Sequence, residues 1–257
     1  MTGAAARLFA AWRAWRAEFG PRTVWLYAVA YALARLSRGW ARIVPYAFVA
    51  QPIGSPALAA VRDDANTAIR LASPSDAALA SEFPRPAAAI RQRFESGARC
   101  HVAHVKGRFA GYIWTRRGGY DEDEVRCRYQ LADPASTVWD FDVYVDPAFR
   151  LGRTLARLWK AVDRDLHREG IRWSVSRISL FNPGSLAAHK RLGAQHLSTG
   201  VFILFGRLQL SLFSCRPFIH LGLRSPARPT LVLRVPAGTP EPGSTAHAAR
   251  THGSEGA

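Results

Sequence analysis

The stretch from Val138 to Gly193 constrains this chain more than any other, because its hydrophobic period switches from strand to helix and back. Trp139, Phe141, Val143 and Val145 alternate with Asp140, Asp142 and Tyr144. That pattern predicts a strand over Val138–Val145 with one apolar face, and it sets Asp140 and Asp142 on the same side. Asp146-Pro147 ends the strand, since proline has no N–H to offer a ladder. From Arg150 to Glu169 the apolar positions Leu155, Leu158, Trp159, Val162 and Leu166 recur with helical spacing. Gly170 is placed to terminate that helix. A second strand over Ile171–Leu180 follows, and then a short helix opened by Asn182 as cap and Pro183 in the first turn. The result is a βαβα unit in which the first helix N-terminus faces a sharp turn. Free N–H groups and the positive end of the helix dipole converge there, beside Arg150 and Arg153. Such a turn either holds a phosphate-bearing ligand or is an ordinary connection with solvated arginines.

Val145-x-Pro147-x-x-Arg150, a helix, a strand, and Asn182-x-x-Ser185-x-x-x-His189-x-x-x-Gly193 together resemble the GNAT superfamily of acyl-CoA-dependent N-acyltransferases. The resemblance covers roughly Ala41 to Arg207. It implies an α/β (α+β) fold with a mixed, mostly antiparallel central sheet and flanking helices. It further implies acyl-CoA or acetyl-CoA as co-substrate, with Tyr144, Val145, Arg150, Leu151, Gly152, Arg153, Thr154, Leu155, Asn182 and Ser185 as the binding positions. Two departures stand out. Arg153 and Leu155 occupy positions where the family favours glycine, which lets backbone approach phosphate closely. His189 stands where the family often has a tyrosine that protonates the departing thiolate. A histidine titrating near neutrality could carry that proton, so His189 is the expected acid. Asp142 and Asp140 are the expected bases for the acceptor ammonium, or else they pair with nearby arginines.

The remainder of the chain bears on what the unit acts upon. Its 257 residues carry a net charge of +16, which calls for an acidic partner. CoA, anionic lipid, an acidic carrier and nucleic acid all qualify. Nucleic acid ranks last, because no binding motif is present and the arginines are dispersed. The three cysteines show no paired spacing, so neither a disulfide framework nor a zinc site is expected, and a reducing cytoplasm is the default. Residues 1–40 read as N-terminal amphipathic helices. Leu8, Trp12, Trp15 and Phe19 form one stripe, and Val24–Ala34 is an uncharged run after Gly20-Pro21, well short of the roughly 20 residues that span a bilayer. They either lie in the inner face of a membrane or pack on the core.

Residues 41–224 form the expected acyltransferase domain. Ala41–Pro52 reads as its first strand, with Pro45 near an edge or bulge. Residues 53–74 read as loop and short helix, and Ser75–Ser96 as helix broken at Pro84 and Pro86. Arg99–Val105 and Phe109–Thr115 form a hairpin about Lys106-Gly107, with His101 and His104 on opposite sides and no metal expected. The acidic run Asp121–Glu124 either neutralises arginines or receives a cationic amine. Val125–Leu131, Val201–Phe205 and Leu208–Phe213 are further strands, and the apolar stretch to Leu223 is either a second interfacial patch or core edge. Residues 225–257 read as a largely disordered tail apart from Leu231–Val235, and His247 and His252 make no metal cluster. The favoured function is transfer of an acyl group to a membrane-presented amine, with a sphingoid base as the specific expectation. An amino sugar, a small amine or a protein amine fits the sequence as well, as does a degenerate domain that binds acyl-CoA without turnover.

Overall fold

The computed structural model describes residues 3–76, 82–122, 124–223 and 228–237. A nine-stranded sheet runs in the order β11-β10-β9-β1-β8-β7-β4-β3-β2. Its strands are β1 (Ala41–Pro52), β2 (Thr67–Leu71), β3 (Arg99–Val105), β4 (Arg108–Arg116), β7 (Thr137–Val145), β8 (Trp173–Ser179), β9 (Gln195–Phe205), β10 (Leu208–Phe213) and β11 (Ile219–Gly222). Every neighbouring pair is antiparallel except β7 and β8. A smaller sheet joins β5 (Gly119–Asp121), β6 (Arg128–Leu131) and β12 (Thr230–Leu233). The helices are α1 (Gly3–Leu36), α2 (Pro56–Ala59), α3 (Ala87–Glu95), α4 (Thr154–Arg168) and α5 (Pro183–Arg191). The expected mixed, mostly antiparallel sheet with flanking helices is the observed architecture.

Each face of the large sheet has its own cover. On one, Ile113 and Val138 pack under Leu158, Trp159 and Val162 of α4. On the other, Phe48, Trp139 and Trp173 pack under Tyr129 and Leu231 of the small sheet, while Tyr112 and Trp114 pack under Phe83 and Ile90. Burial of these aromatic and aliphatic side chains, at about 25 cal/mol per Å² of apolar surface, is the main stabilising term.

Several boundaries differ from the sequence reading. β1 lies in the middle of the sheet, so Pro45 is not at an edge. Pro45 precedes the first β1–β8 pair, Tyr46↔Ser179, and its carbonyl accepts from Leu180 N–H. Its nitrogen points the same way, to the end of that ladder, where a missing N–H costs little. β2 occupies part of the stretch expected to be loop and helix. Helix α3 begins at Ala87, beyond both prolines, and the preceding part of the expected helix includes residues 77–81, outside the described residues. The expected strand at Val125–Leu131 belongs to the small sheet. There it pairs in parallel with β12, whose Leu231 and Leu233 are buried, so the folded unit passes the expected boundary at 224. Residues 238–257, with His247 and His252, lie outside the described residues.

Helix α1 bends at Gly20 (φ 75°, ψ 171°), a backbone conformation that glycine adopts without steric cost, and Pro21 follows. The two halves meet through Trp12 and Trp25, with ring centroids 4.3 Å apart, and through Trp15 with Tyr27 and Tyr31. Phe19 and Tyr27 reach Phe181, which precedes the cap of α5. The expected stripe is therefore mostly turned inward, with the Leu8 side chain outside what is described.

Candidate active site

The parallel ladder between β7 and β8 is short, running from Thr137↔Trp173 to Asp140↔Ser176. Beyond it β7 pairs only with β4, and β8 only with β1, among the described residues. The two strands thus part, leaving a fork whose vertex is Asp140 and Ser176. Asp146 N–H donates to Ala110 on the β4 side, so by alternation Tyr144 is directed to β4 and Val143 and Val145 toward the fork. Arg150 Nε donates to the Val145 carbonyl at 3.0 Å, which places that edge of Val145 away from β4. Of the two expected backbone positions, Val145 faces the fork. Tyr144 instead stacks its ring near Tyr112 and Phe109.

The chain then makes a single 3₁₀ turn at Pro147–Phe149, with Asp146 Oδ1 accepting from Ala148 N–H at 2.9 Å. Helix α4 starts at Thr154, not at Arg150 as expected, because Gly152 N–H is already spent on the Phe149 carbonyl in the tight turn. The first residue to donate into the helix is Arg157, to the Arg153 carbonyl, which leaves the amides of Thr154, Leu155 and Ala156 without a backbone carbonyl among the described residues. No acidic residue occupies the first turn. Arg150 and Arg153 make no ion pair among the described residues, and Leu151 projects fully into solvent. Arg150, Gly152, Arg153, Thr154 and Leu155 are thereby gathered around one helix N-terminus, which favours an anion. The far end of α4 closes as expected. Gly170 (φ 75°) donates to His167 and Ile171 to Leu166, the two reverse-turn bonds of a Schellman cap.

Across the fork, Asn182 Oδ1 accepts from Ser185 N–H at 3.0 Å and caps α5. Gly193 (φ 83°) ends that helix with the same pair of bonds, to Lys190 and His189. These two residues are explained by helix termination alone. His189 is buried, its ring edge-on to Trp159 of α4 with centroids 5.9 Å apart. Burial pushes its pKa down to about 4. The expectation of a histidine titrating near neutrality is therefore corrected: at pH 7 it is a neutral imidazole, and its Nδ1 has no hydrogen-bond partner among the described residues.

Asp140 and Asp142 lie on opposite faces, contrary to simple alternation. The β4–β7 register slips from Trp114↔Asp142 to Thr115↔Asp140, so Phe141 is the extra residue of a bulge. Asp142 turns to the α3 side, where Arg85 holds it in two bonds of 2.9 and 3.0 Å, Arg93 in one of 2.6 Å and Tyr112 Oη in one of 3.1 Å. A carboxylate saturated by two guanidinium groups and a phenol is a clamp, not a free base. Asp140 stays on the α4 face at the vertex. Ser174 Oγ donates to it at 2.6 Å and Ser176 Oγ at 2.6 and 2.7 Å. Burial raises its pKa to about 7, the serine bonds acting in the opposite sense. Asp140 is thus suited to exchange a proton near neutral pH.

The acidic run has its own partners. Asp121 pairs with Arg128 and Arg228. Glu122 and Glu124 pair with Arg177 of β8, whose guanidinium lies over the Tyr46 ring at 4.3 Å. Arg177 was missed by the sequence reading, although a charged residue inside the strand Trp173–Ser179 was the available signal. His101 and His104 do face different elements, pairing with Asp165 and Glu82. Among the described residues no group of His, Cys, Asp or Glu is arranged to hold a metal, and all three cysteines are free.

No family model matches the chain, and no curated protein sequence does. Solved structures with related backbones include a functionally unknown conserved protein from Staphylococcus epidermidis, at 14% identity and TM-score 0.46, covering 68% of this chain and 66% of that one. A tandem GNAT protein from the clavulanic acid biosynthesis pathway is 17% identical with TM-score 0.45, covering 66% and 56%. An aminoglycoside N-acetyltransferase in complex with CoA is 21% identical with TM-score 0.39, covering 52% and 90%. The chain spans less than two thirds of the length of the first two. These likenesses are of backbone alone.

Proposed function

We propose that this chain is an acyl-CoA-dependent N-acyltransferase. The observation that carries the reading is the fork: a parallel strand pair parts at a buried carboxyl titrating near 7, and one arm leads straight into a helix N-terminus whose first amides meet no backbone carbonyl and whose two arginines make no ion pair among the described residues. The amides of Thr154, Leu155 and Ala156, with Arg150 and Arg153, bind the CoA pyrophosphate. Val143 and Val145 offer backbone groups along the fork to the thioester arm, one N–H polarising its carbonyl. The acceptor nitrogen attacks the carbonyl carbon, the new N–C bond forms, and the C–S bond breaks to release thiolate. Asp140 takes the ammonium proton through Ser176. The thiolate takes its proton from water, since His189, neutral at pH 7, is not the imidazolium that would serve as an acid. Asp142 positions the wall of the site and does no proton transfer.

For the acceptor we favour a long-chain, sphingoid-type amine, supported by the apolar surfaces beside the domain. A second reading, acyl-CoA binding without turnover, is supported by the buried neutral His189 and by Arg153 and Leu155, which stand where glycine would let backbone approach phosphate most closely.

The test is incubation with acetyl-CoA and with long-chain acyl-CoA against a panel of amines: long-chain base, amino sugar, small amine and lysine peptide. Thiol release and amide product are followed together. Turnover that survives His189→Phe and falls at least a hundredfold in Asp140→Asn, with CoA affinity retained, is expected. CoA binding with no product from any amine would favour the second reading; no CoA binding would refute both.

A further inference from the structure

The outer strands of the large sheet are built inside out. In β10, Gln209 and Ser211 are buried (1% and 0% exposed) while Leu208, Leu210 and Leu212 alternate onto the outward face. The polar pair is satisfied within: Gln209 exchanges hydrogen bonds of 2.8 Å with the backbone of Arg126 and donates to Ser211 Oγ at 3.0 Å. Register extends the outward leucines across two neighbours. Leu210 pairs with Leu221 on one side and Ile203 on the other, and Leu212 with Ile219 and Val201. Ile219 and Leu221 are 68% and 58% exposed. A strand edge facing only water normally carries the opposite pattern, and a contiguous apolar face of this kind marks a contact surface.

We infer that this face docks on an anionic lipid bilayer. The face extends to Phe205 of β9, on which Trp40 packs, and the chain before β1 carries its own exposed apolar side, where Trp25, Val29 and Leu36 recur along α1. Tryptophan is suited to the boundary between headgroups and acyl chains. Arg35, Arg38, Arg207 and Arg216 flank these segments, exposed and without an ion pair among the described residues. Anionic headgroups complement them near the surface. A second copy of the chain would set the same arginines and a net +16 against themselves. Among the described residues no helix is long and apolar enough to cross a membrane, so the contact is one of lying on the surface.

Docking is independent of acyl transfer, so it is tested without any acyl donor. Full-length protein is sedimented with vesicles of phosphatidylcholine alone and with 30–40% phosphatidylglycerol (roughly the anionic content that gives a strong surface potential). Binding to the anionic vesicles at least tenfold tighter than to the neutral ones is expected. Ile219→Ser with Leu221→Ser should weaken it at least tenfold with an unchanged melting curve, and Arg207→Gln with Arg216→Gln should weaken only the anionic component. Protein that stays in the supernatant with both vesicles overturns the proposal, as does a dimer in solution that Leu221→Ser dissociates. Variants that bind vesicles as the parent does would also overturn it.

Discussion

Replacing Asp140 by asparagine should change the slope of stability against pH. In the fold the carboxyl is buried between two serine hydroxyls and its pKa rises from an ordinary 3.8 to about 7. A folded-state value above the unfolded one means the native protein holds the proton more tightly. The stabilisation is complete below pH 3.8 and is lost as pH rises through 7. At about 1.36 kcal/mol per pH unit, that span amounts to roughly 4 kcal/mol. The amide of Asp140→Asn cannot ionise and escapes the loss, though its NH₂ meets serine hydroxyls that previously donated, which lowers its stability at acid pH. Urea unfolding from pH 4.5 to 8 should therefore show the variant gaining on the parent by about 3 kcal/mol across the range. His189 has the opposite sign: depressed to about 4, it destabilises the fold as pH falls below 6.5. It is common to both proteins and cancels in the difference. A variant–parent difference that stays flat would mean that Asp140 titrates as an ordinary carboxyl. The proposed proton acceptor would then be wrong.

Two further outcomes bear on the clamp and the small sheet. Asp142→Ala leaves Arg93 and the Tyr112 hydroxyl facing an empty site and should cost about 3 kcal/mol in urea, most of it from the well-buried Arg93 pair rather than the more exposed Arg85; Asp142→Asn that folds normally yet abolishes turnover would instead make it the base. Leu231 is completely buried against Tyr129 and Trp139, so Leu231→Ala should lower stability by about 3 kcal/mol, and a melting curve identical to the parent would exclude β12 from the core.

What the amino-acid order determines by itself is local. Asn182 with Pro183 opens α5, and glycines at 170 and 193 close α4 and α5. Lys106-Gly107 turns the β3–β4 hairpin, and Gly20-Pro21 bends α1. Each follows from the φ a residue can adopt or the bond its side chain can make within a few positions. Which of the two carboxylates is the proposed proton acceptor was not legible that way. Alternation placed Asp140 and Asp142 together; a one-residue bulge at Phe141, set by pairing with β4, sent one into a guanidinium clamp and the other to the vertex between two serines. His189 had the right spacing for a proton donor, and its burial against Trp159 removed the charge. The apolar strand around Leu210 was visible as a run of leucines. Only the long-range register showed that its polar residues face in and its leucines face out. Desolvation, strand slip and sidedness depend on residues far apart in the chain, and tertiary packing alone brings those residues together.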